Sequence, residues 1–580
     1  MATAETDART GAAGPGGNAG FQSLTRRQLV LTIIGLQLTL LLAALDATIV
    51  GTAMPSIIGQ LNGFDRYAWV TTAFMLTSTV AVPIFGKLSD IYGRKPFYLA
   101  GSVLFVIASA LCGAAGDLPG VPGDGMNQLI AFRALQGLAA GIITGLTFTI
   151  IGDIFPPAER GKYQGLFAAV WGLASVFGPT LGGWITDGPG WRWIFYINLP
   201  FGAAAIAVVW FAFPYFRPEG VRRVIDWGGV ATLTAGLVPL LLALTWVTDY
   251  GWGSARVLGL LALAAVMLGA FLLVEARAAE PIVPLTLFRS PVIVVSAISL
   301  FLSGMGMFGA ILFLPLFMQQ VIGVSATQSG SLLTPMMLMI VVGSIASGQL
   351  VSRLGRYKAV ALVGMAIMTL GMALLAGMGA DTTRLVAVRN MMVVGLGLGL
   401  IMPLYTLVVQ NAAPQRQIGA ATAATQFFRS IGGTVGAAVL GSVMLGRYAD
   451  RLESGVPAGT PPQLVEAIGN PIRLSQILPQ LQAQVAQLPG GPQLLGALLG
   501  NVRDALVYAI NGVFVIGAIV VAAGFVSNFF LKDIPLRKTF ADADKAGLAS
   551  PEGALATDEA PNLRPAAAAP APAGASQGDD

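Results

Sequence analysis

Fourteen long apolar segments constrain the fold of this 580-residue chain more than any other feature. A helix needs about 20 apolar residues to cross the hydrocarbon core of a bilayer, where backbone without internal hydrogen bonds is unstable. The segments predict an all-α membrane protein with helices at residues 29–52, 67–86, 96–115, 127–150, 161–185, 192–213, 226–247, 256–275, 291–317, 328–350, 357–378, 385–410, 418–446 and 505–531.

Composition supports a membrane protein and excludes several kinds of site. Hydrophobic residues make up 55% of the chain and charged residues only 11%, whereas soluble domains carry about 25% charge. There is no histidine, and the single cysteine, Cys112, lies in an apolar segment where we expect it to pack. Histidine bases, zinc or haem ligation and intrachain disulfides are excluded, so we expect no metal, no cofactor and no enzymatic activity.

Two basic turns resemble each other although they lie about 260 residues apart. The first is Gly86-Lys-Leu-Ser-Asp-Ile-Tyr-Gly-Arg-Lys95, and the second is Gly348-Gln-Leu-Val-Ser-Arg-Leu-Gly-Arg-Tyr-Lys358. Each turn joins two apolar segments. A second pair of segments repeats with the same spacing, because the interval from Arg133 to Arg160 equals that from Arg389 to Arg416. Such duplication is typical of secondary transporters, which place the pathway between the two halves.

The duplication predicts the domain organisation. The first six and last six helices are equivalent bundles at 29–213 and 291–531, and two inserted helices occupy 214–290. Tails are predicted at 1–28 and 532–580, and an external loop at 447–503. Within that loop, 474–488 alternates apolar and glutamine residues, which fits either an amphipathic surface helix or a solvated connector.

Basic residues predict the orientation of the helices. Short cytoplasmic loops of membrane proteins are enriched in lysine and arginine. Most of the basic residues of this chain fall in alternate loops, including Arg94, Lys95, Arg160 and Arg356, while the opposite loops hold few. Both termini are therefore predicted to be cytoplasmic. The net charge of +5 arises from these loops and does not indicate nucleic-acid binding.

Two charged residues inside the first bundle are the candidate coupling pair. A charge in the membrane costs several kcal/mol, so each one needs a partner or a function. Asp46 in the first helix and Arg133 in the fourth are predicted at similar depths. Burial favours a protonated carboxyl and a nearby arginine favours an ionised one, so Asp46 is suited to exchange a proton. A permanent structural ion pair is the alternative.

Arg429 is a third charge near mid-membrane, and no acidic residue lies inside a predicted span of the second bundle. Its partner would be Asp46, backbone carbonyls or a substrate. Snorkelling to the outer surface suffices to explain Arg389. The other candidate substrate contacts are polar or aromatic residues within spans: Gln37, Trp69, Gln136, Trp171, Phe308, Tyr405 and Gln426.

Two further motifs suggest conformational roles. In the first turn, Gly86 permits close helix approach and Asp90 can cap a neighbouring helix or bind a base, with Gly93, Arg94 and Lys95 completing the turn. Ser352 replaces the acid in the second copy, so a latch there should be weaker. In the fifth helix, Gly178-Pro179 bends the backbone and lets a partner pack closely, although ordinary helix packing also uses glycine.

These motifs resemble those of the major facilitator superfamily, specifically its fourteen-helix drug:proton antiporter branch. The stretch Leu45–Pro55 resembles the first-helix motif, Gly86–Lys95 the loop motif, Arg133–Gly137 the fourth-helix motif and Gly172–Gly183 the fifth-helix antiporter motif. The resemblance covers about residues 26–538. It implies proton-driven efflux, with Asp46 as the coupling acid, Arg133 assisting proton movement, and the loop and Gly-Pro motifs governing conformational exchange.

The expected function is export of amphipathic small molecules or drugs by a monomer in the cell membrane, with protons and lipid as its other partners. Export of an endogenous lipid or metabolite is the alternative. Some relatives of this branch carry extra acids for dications, which are absent here, so neutral, singly cationic or anionic substrates are expected. A channel fits a titratable acid and duplicated bundles less well.

Overall fold

The computed structural model describes residues 25–61, 66–118, 122–215, 224–324, 326–414, 417–456, 460, 468 and 491–536. Regular structure in these ranges is helical throughout, and they contain no strand. The predicted amphipathic segment at 474–488 lies outside the described residues, as do most residues of the two predicted tails.

Fifteen α-helices are labelled in chain order. They are α1 Arg26–Leu61, α2 Tyr67–Tyr92, α3 Arg94–Gly113, α4 Gly125–Ile154, α5 Pro157–Asp187, α6 Trp193–Tyr196, α7 Asn198–Ala212, α8 Trp227–Tyr250, α9 Ala255–Glu275, α10 Pro291–Gln320, α11 Ala326–Leu354, α12 Lys358–Ala376, α13 Arg384–Ala412, α14 Ile418–Gly455 and α15 Gly491–Ser527. Short 3₁₀ helices follow at Leu285–Arg289 and Asn528–Phe530.

Fourteen helical spans in the described residues are long and apolar enough to cross a membrane, which confirms the predicted number. The short α6 and the longer α7 together form the sixth span, Trp193–Ala212. The predicted fold class, two six-helix bundles with two inserted helices, is also confirmed.

The two bundles repeat the same close helix contacts. In the first bundle, a Cβ on Gly137 of α4 would lie 2.3 Å from the carbonyl oxygen of Phe74 in α2. In the second, a Cβ on Gly395 of α13 would lie 2.3 Å from the carbonyl oxygen of Met336 in α11. Only glycine permits this approach, so the repeated glycines seen in the sequence have a repeated structural cause.

The inserted hairpin α8–α9 packs on one helix of each bundle. Leu233 and Leu237 of α8 cluster with Val80 of α2 and Phe271 of α9. On the side of α14, the Trp252 indole donates a hydrogen bond to the Ser442 hydroxyl at 3.0 Å. The hairpin therefore lies across the seam between the bundles.

Helix ends differ most from the prediction in three places. Helix α2 continues to Tyr92 instead of ending at 86, so most of the first basic turn is helical. Helix α1 continues through Pro55 to Leu61 instead of ending at 52. Helix α14 continues to Gly455 and α15 begins at Gly491, so both extend into the predicted loop 447–503. Hydropathy falls where α14 becomes polar, but helical hydrogen bonding does not depend on side-chain polarity. Arg447 also stacks its guanidinium 4.0 Å above the ring of Tyr508, which joins the extended end of α14 to α15.

Candidate functional site

Asp46 and Arg133 form a buried ion pair in the first bundle. The Arg133 Nη1 donates to Asp46 Oδ2 at 2.5 Å, and the exposed fractions of the two residues are 2% and 1%. Helices α1 and α4 thus bring together the two charges that the sequence placed at similar depth. Breaking such a pair by removing one partner costs about 3–5 kcal/mol, because the other charge stays buried.

Three neutral polar residues complete the network around the Asp46 carboxylate. Gln136 Nε2 donates to Asp46 Oδ1 at 2.9 Å, and Asn198 Nδ2 donates to the same oxygen at 3.4 Å. Ser109 Oγ accepts from both amides, at 3.2 Å and 2.8 Å. Every group bonded to Asp46 is a donor, so both carboxyl oxygens act only as hydrogen-bond acceptors in this arrangement. The sequence analysis missed Asn198 and Ser109, whose only signal is polarity within apolar runs.

The Arg133 side chain is also fixed on its other faces. Its Nη1 donates to Gln136 Oε1 at 2.7 Å, and its Nε donates to the Val70 carbonyl at 3.4 Å. The guanidinium lies 4.2 Å from the centroid of the Phe74 ring. Val70 and Phe74 both belong to α2, so the Asp46–Arg133 pair connects α1, α2 and α4.

The Gly-Pro motif of α5 packs against α1 close to Asp46. A Cβ on Gly178 would lie 2.1 Å from Thr48 Oγ1, and the Thr48 hydroxyl donates to the Ala174 carbonyl at 3.1 Å. Thr48 is two residues from Asp46. Pro179 removes a backbone donor one residue beyond Gly178, so a bend of α5 bears directly on the helix that carries the acid.

The first basic turn forms a compact charge cluster. Arg94 pairs with Asp90 and donates through Nε to Asp153 Oδ2 at 2.7 Å. Its Nη1 donates to Ser89 Oγ at 2.7 Å. Asp153, near the end of α4, is a partner that the sequence analysis did not identify. Gly93 has a φ of +98°, a conformation that glycine adopts readily, and it joins α2 to α3.

Asp90 also reaches the opposite bundle. Its Oδ2 accepts the backbone N–H of Ala420, in the first turn of α14, at 3.1 Å. A carboxylate at a helix N-terminus is favoured by the helix dipole. Gly86 sits one turn earlier, where a Cβ would lie 2.9 Å from the Ala423 Cβ. Asp90 thus caps a neighbouring helix, as its position in the turn suggested.

Gln410 of α13 makes a second set of contacts between the bundles. Its side chain accepts from Gln164 Nε2 at 2.8 Å and donates to the Phe148 carbonyl at 2.9 Å. The Gln410 carbonyl accepts from Arg160 Nη1 at 3.4 Å. Beside it, a Cβ on Gly348 of α11 would lie 2.1 Å from the Gly161 carbonyl oxygen of α5.

These interbundle contacts share one end of the molecule. We call it the basic face, the end that carries the loops near residues 87–95, 155–162, 276–290 and 353–358. Among the described residues, the hydrogen bonds that join the two bundles all lie near this face. The structure is therefore closed at the basic face.

The remaining basic residues of the first turn bind elsewhere. Lys87 Nζ pairs with Glu280 Oε2 at 2.8 Å, and Lys95 Nζ donates to the Trp210 carbonyl at the end of α7 at 2.7 Å. In the second copy of the turn, Ser352 and Arg356 are exposed, and neither makes an ion pair within the described ranges. The weaker latch expected there agrees with this asymmetry.

Several candidate substrate residues occupy positions that give them other contacts. Gln136 belongs to the Asp46 network. The fully buried Tyr405 donates to Asn528 Oδ1 at 2.9 Å, and Trp69 packs edge-to-face on Trp246 with ring centroids 6.1 Å apart. Tyr405 and Trp69 therefore each have a partner within the protein, and their contact with a substrate stays a prediction.

The other candidates remain available for a substrate. Gln37, Trp171 and Phe308 are half-buried, and Gln426 is buried. Arg429, one helical turn after Gln426, is half-buried and has no hydrogen bond or ion pair among the described residues. Asp46 is paired with Arg133 and not with Arg429. Backbone carbonyls and a substrate are the other two partners considered for Arg429.

Comparison with known proteins identifies the family. The family model of the Major Facilitator Superfamily matches residues 36–437, more than half of the chain. The chain belongs to this superfamily. It is accordingly a multi-pass membrane transporter of small molecules, not an enzyme.

Two relatives from Bacillus subtilis (strain 168) are similar over nearly their whole lengths. The multidrug transporter protein MdtP is 41% identical over 529 residues, which cover 88% of this chain and 94% of MdtP. Multidrug resistance protein 3 is 36% identical over 520 residues, which cover 89% of this chain and 97% of that protein.

Solved structures support the fold alone, because their sequence identities are low. The proton:xylose symporter XylE superposes with a TM-score of 0.55 at 13% identity, over 90% of this chain and 99% of XylE. The human organic anion transporter MFSD10 gives the same TM-score at 15% identity, over 85% of this chain and 99% of that chain.

Proposed function

We propose that this transporter is a proton-coupled efflux antiporter that exports amphipathic small molecules by alternating access of its two bundles. The observation that carries the proposal is the buried Asp46–Arg133 pair in a transporter of this superfamily. Among the described residues of the first bundle, it is the most deeply buried pair of an acid and an arginine. The basic face is cytoplasmic in this proposal, and the protein lies in the cell membrane with both termini inside.

The Asp46 network supplies the coupling step. Protonation of Asp46 removes the negative charge that holds Arg133. The carboxylate accepts from Arg133, Gln136 and Asn198, and the protonated carboxyl would instead carry one O–H donor. The pair then loses most of its stabilisation, and the freed guanidinium must find another partner. Because these residues connect α1, α2 and α4, the protonation state of one carboxyl biases the packing of the bundle.

The contacts at the basic face support an assignment of this structure to the half of the proposed cycle in which the cytoplasmic side is closed. In the proposed cycle, Asp46 takes up a proton from outside while the cytoplasmic side is closed. The proton would weaken the pair and favour opening at the basic face, where substrate binding and proton release follow. Asp90, Arg94 and the Gly178-Pro179 bend set the relative stability of the two arrangements.

The names of the two Bacillus relatives support drugs as the substrate class. Gln37, Trp171, Phe308, Gln426 and Arg429 are the residues proposed to contact the substrate. Aromatic and amide side chains together with one cation would suit amphipathic molecules with a polar or anionic end. Export of an endogenous lipid or metabolite is the alternative, and no residue described above favours it over drugs.

Transport by purified protein in liposomes tests the proposal. An imposed proton gradient should drive uptake of a fluorescent amphipathic dye into inside-out oriented vesicles, and a protonophore should abolish it. Uptake that persists without a gradient would contradict proton coupling. A panel of cationic, neutral and anionic drugs, with long-chain lipids as a comparison, would separate drug export from export of an endogenous lipid.

A further inference from the structure

Two carboxyl groups meet at the basic-face end of the inserted hairpin, away from the Asp46 pair. Asp226 directly precedes α8, and Glu275 is the last residue of α9. Glu275 is only 3% exposed and Asp226 is half-buried. A Cβ on Gly229 would lie 2.3 Å from Asp226 Oδ2 and 3.0 Å from Glu275 Oε2, so glycine leaves the space in which these two oxygens converge.

One oxygen of each carboxyl group already has a structural bond. Asp226 Oδ1 accepts the backbone N–H of Gly229 at 2.8 Å and caps α8. Glu275 Oε1 accepts the backbone N–H of Val283, which fixes the segment that leads into the second bundle. The other two oxygens, Asp226 Oδ2 and Glu275 Oε2, are buried and have no hydrogen-bond partner among the described residues.

The surrounding charges do not compensate two carboxylates. Lys87 of α2 is the cation whose field reaches Glu275, and its ammonium group is already paired with Glu280 at 2.8 Å. Glu280 adds a further negative charge, and Arg277 on the same segment is exposed to solvent. If both carboxyl groups were ionised, the converging oxygens Asp226 Oδ2 and Glu275 Oε2 would repel each other strongly. One shared proton removes this repulsion and gives both oxygens a hydrogen-bond partner.

We propose that Asp226 and Glu275 form a second proton-binding site, in which one proton shared by Oδ2 and Oε2 clamps together the basic-face ends of α8 and α9. The site is distinct from the coupling acid Asp46. Its position matters because the segment after Glu275 carries Glu280, the partner of Lys87 in the first basic turn. Loss of the proton would separate the helix ends and loosen the hairpin from the basic turn.

Infrared spectroscopy of the reconstituted protein tests proton occupancy without measuring transport. At neutral pH the protein should show a protonated-carboxyl band that disappears in both Glu275→Gln and Asp226→Asn. The matched controls are Glu280→Gln, a nearby ionised acid, and Asp46→Asn, which should both leave the band unchanged. Each amide variant can still donate to the remaining carboxylate, so the fold should survive. Absence of the band, or its persistence in both pair variants, would overturn the proposal.

A distance measurement tests the clamp. Spin labels at Val224→Cys and Arg277→Cys, in a Cys112→Ser background, report the separation of the helix ends. The separation should increase when alkaline pH removes the infrared band, and Glu275→Gln should suppress the increase. An unchanged separation would contradict the clamp. A band that is absent at neutral pH until sodium or magnesium is removed would show a bound cation in place of the proton.

Discussion

Asp90 of α2 accepts the backbone N–H of Ala420 in α14 at 3.1 Å, and so ties the first bundle to the second at the basic face. Asp90 simultaneously pairs with Arg94, which is held by Asp153 of α4. The contact between bundles therefore rests on a cluster that is fixed within one bundle. Separation of the bundles at the basic face would break this contact.

Asp90→Ala should shift the protein toward the arrangement that is open at the basic face. The substitution removes the helix cap and leaves the Arg94 charge with one acid fewer. A cap contributes about 1 kcal/mol, so the open fraction should rise by at least about fivefold. Spin labels at Lys162→Cys and Arg353→Cys, in a Cys112→Ser background, would report a longer distance. Ser352→Ala is the matched control at the equivalent exposed position, and an equal shift there would refute the assignment.

Gly348→Ala should prevent full closure of the basic face. The added Cβ would lie 2.1 Å from the Gly161 carbonyl oxygen, which is rigid backbone. Overpacking of this kind costs about 1–3 kcal/mol, enough to reduce the ratio of closed to open protein about fivefold or more. The distance between spin labels at Lys162→Cys and Arg353→Cys measures the degree of closure. Gly183→Ala in α5 meets nothing within 4 Å and should leave the distance unchanged. Normal closure in Gly348→Ala would contradict the packing described here.

Arg429→Leu should stabilise the protein and impair transport. The half-buried guanidinium has no partner among the described residues, and a charge at this depth costs about 3 kcal/mol, which leucine avoids. Thermal unfolding should occur at a higher temperature while dye transport falls. Arg389→Leu is the control, since Arg389 is bonded to Asn390. A variant that transports normally would remove Arg429 from the substrate site.

Tyr357→Phe should reduce alkaline sensitivity of the C-terminal segment. The Tyr357 hydroxyl donates to the Lys532 carbonyl at 2.8 Å and accepts from the Ile534 N–H at 3.0 Å. Burial raises the pKa of Tyr357 from 10.0 to about 12. Its stabilising contribution is present below pH 10, where the unfolded tyrosine is still protonated, and is lost as pH rises through about 12. Unfolding temperatures from pH 8 to 12 would show this dependence in the wild type and not in the variant.

The number and order of spans could be predicted because bilayer thickness fixes helix length and hydropathy reports it directly. The ends of the helices could not be predicted in the same way. Helix α14, for example, continues past residue 446 through Arg447 and Asp450 with its backbone hydrogen bonds intact. Hydropathy reports where a helix leaves the hydrocarbon core and does not report where the helix stops.

The central pair could also be predicted, because Asp46 and Arg133 are rare charges in apolar segments. Their neutral partners could not. Asn198 and Gln410 resemble other amides in the chain, and only the folded positions of α7 and α13 give them roles. Asp226 and Glu275 were missed for a related reason, since each falls at a helix end, where an acid ordinarily faces water.

Substrate-driven proton release from Asp46→Asn in proteoliposomes is the most direct test of the account. The exposed loop variant Asp381→Asn serves as the control, and both proteins must be shown to insert and fold. We predict that addition of a transported dye releases protons from the wild type and the control but not from Asp46→Asn. Undiminished release from Asp46→Asn would show that the coupled proton binds elsewhere and would contradict the central claim.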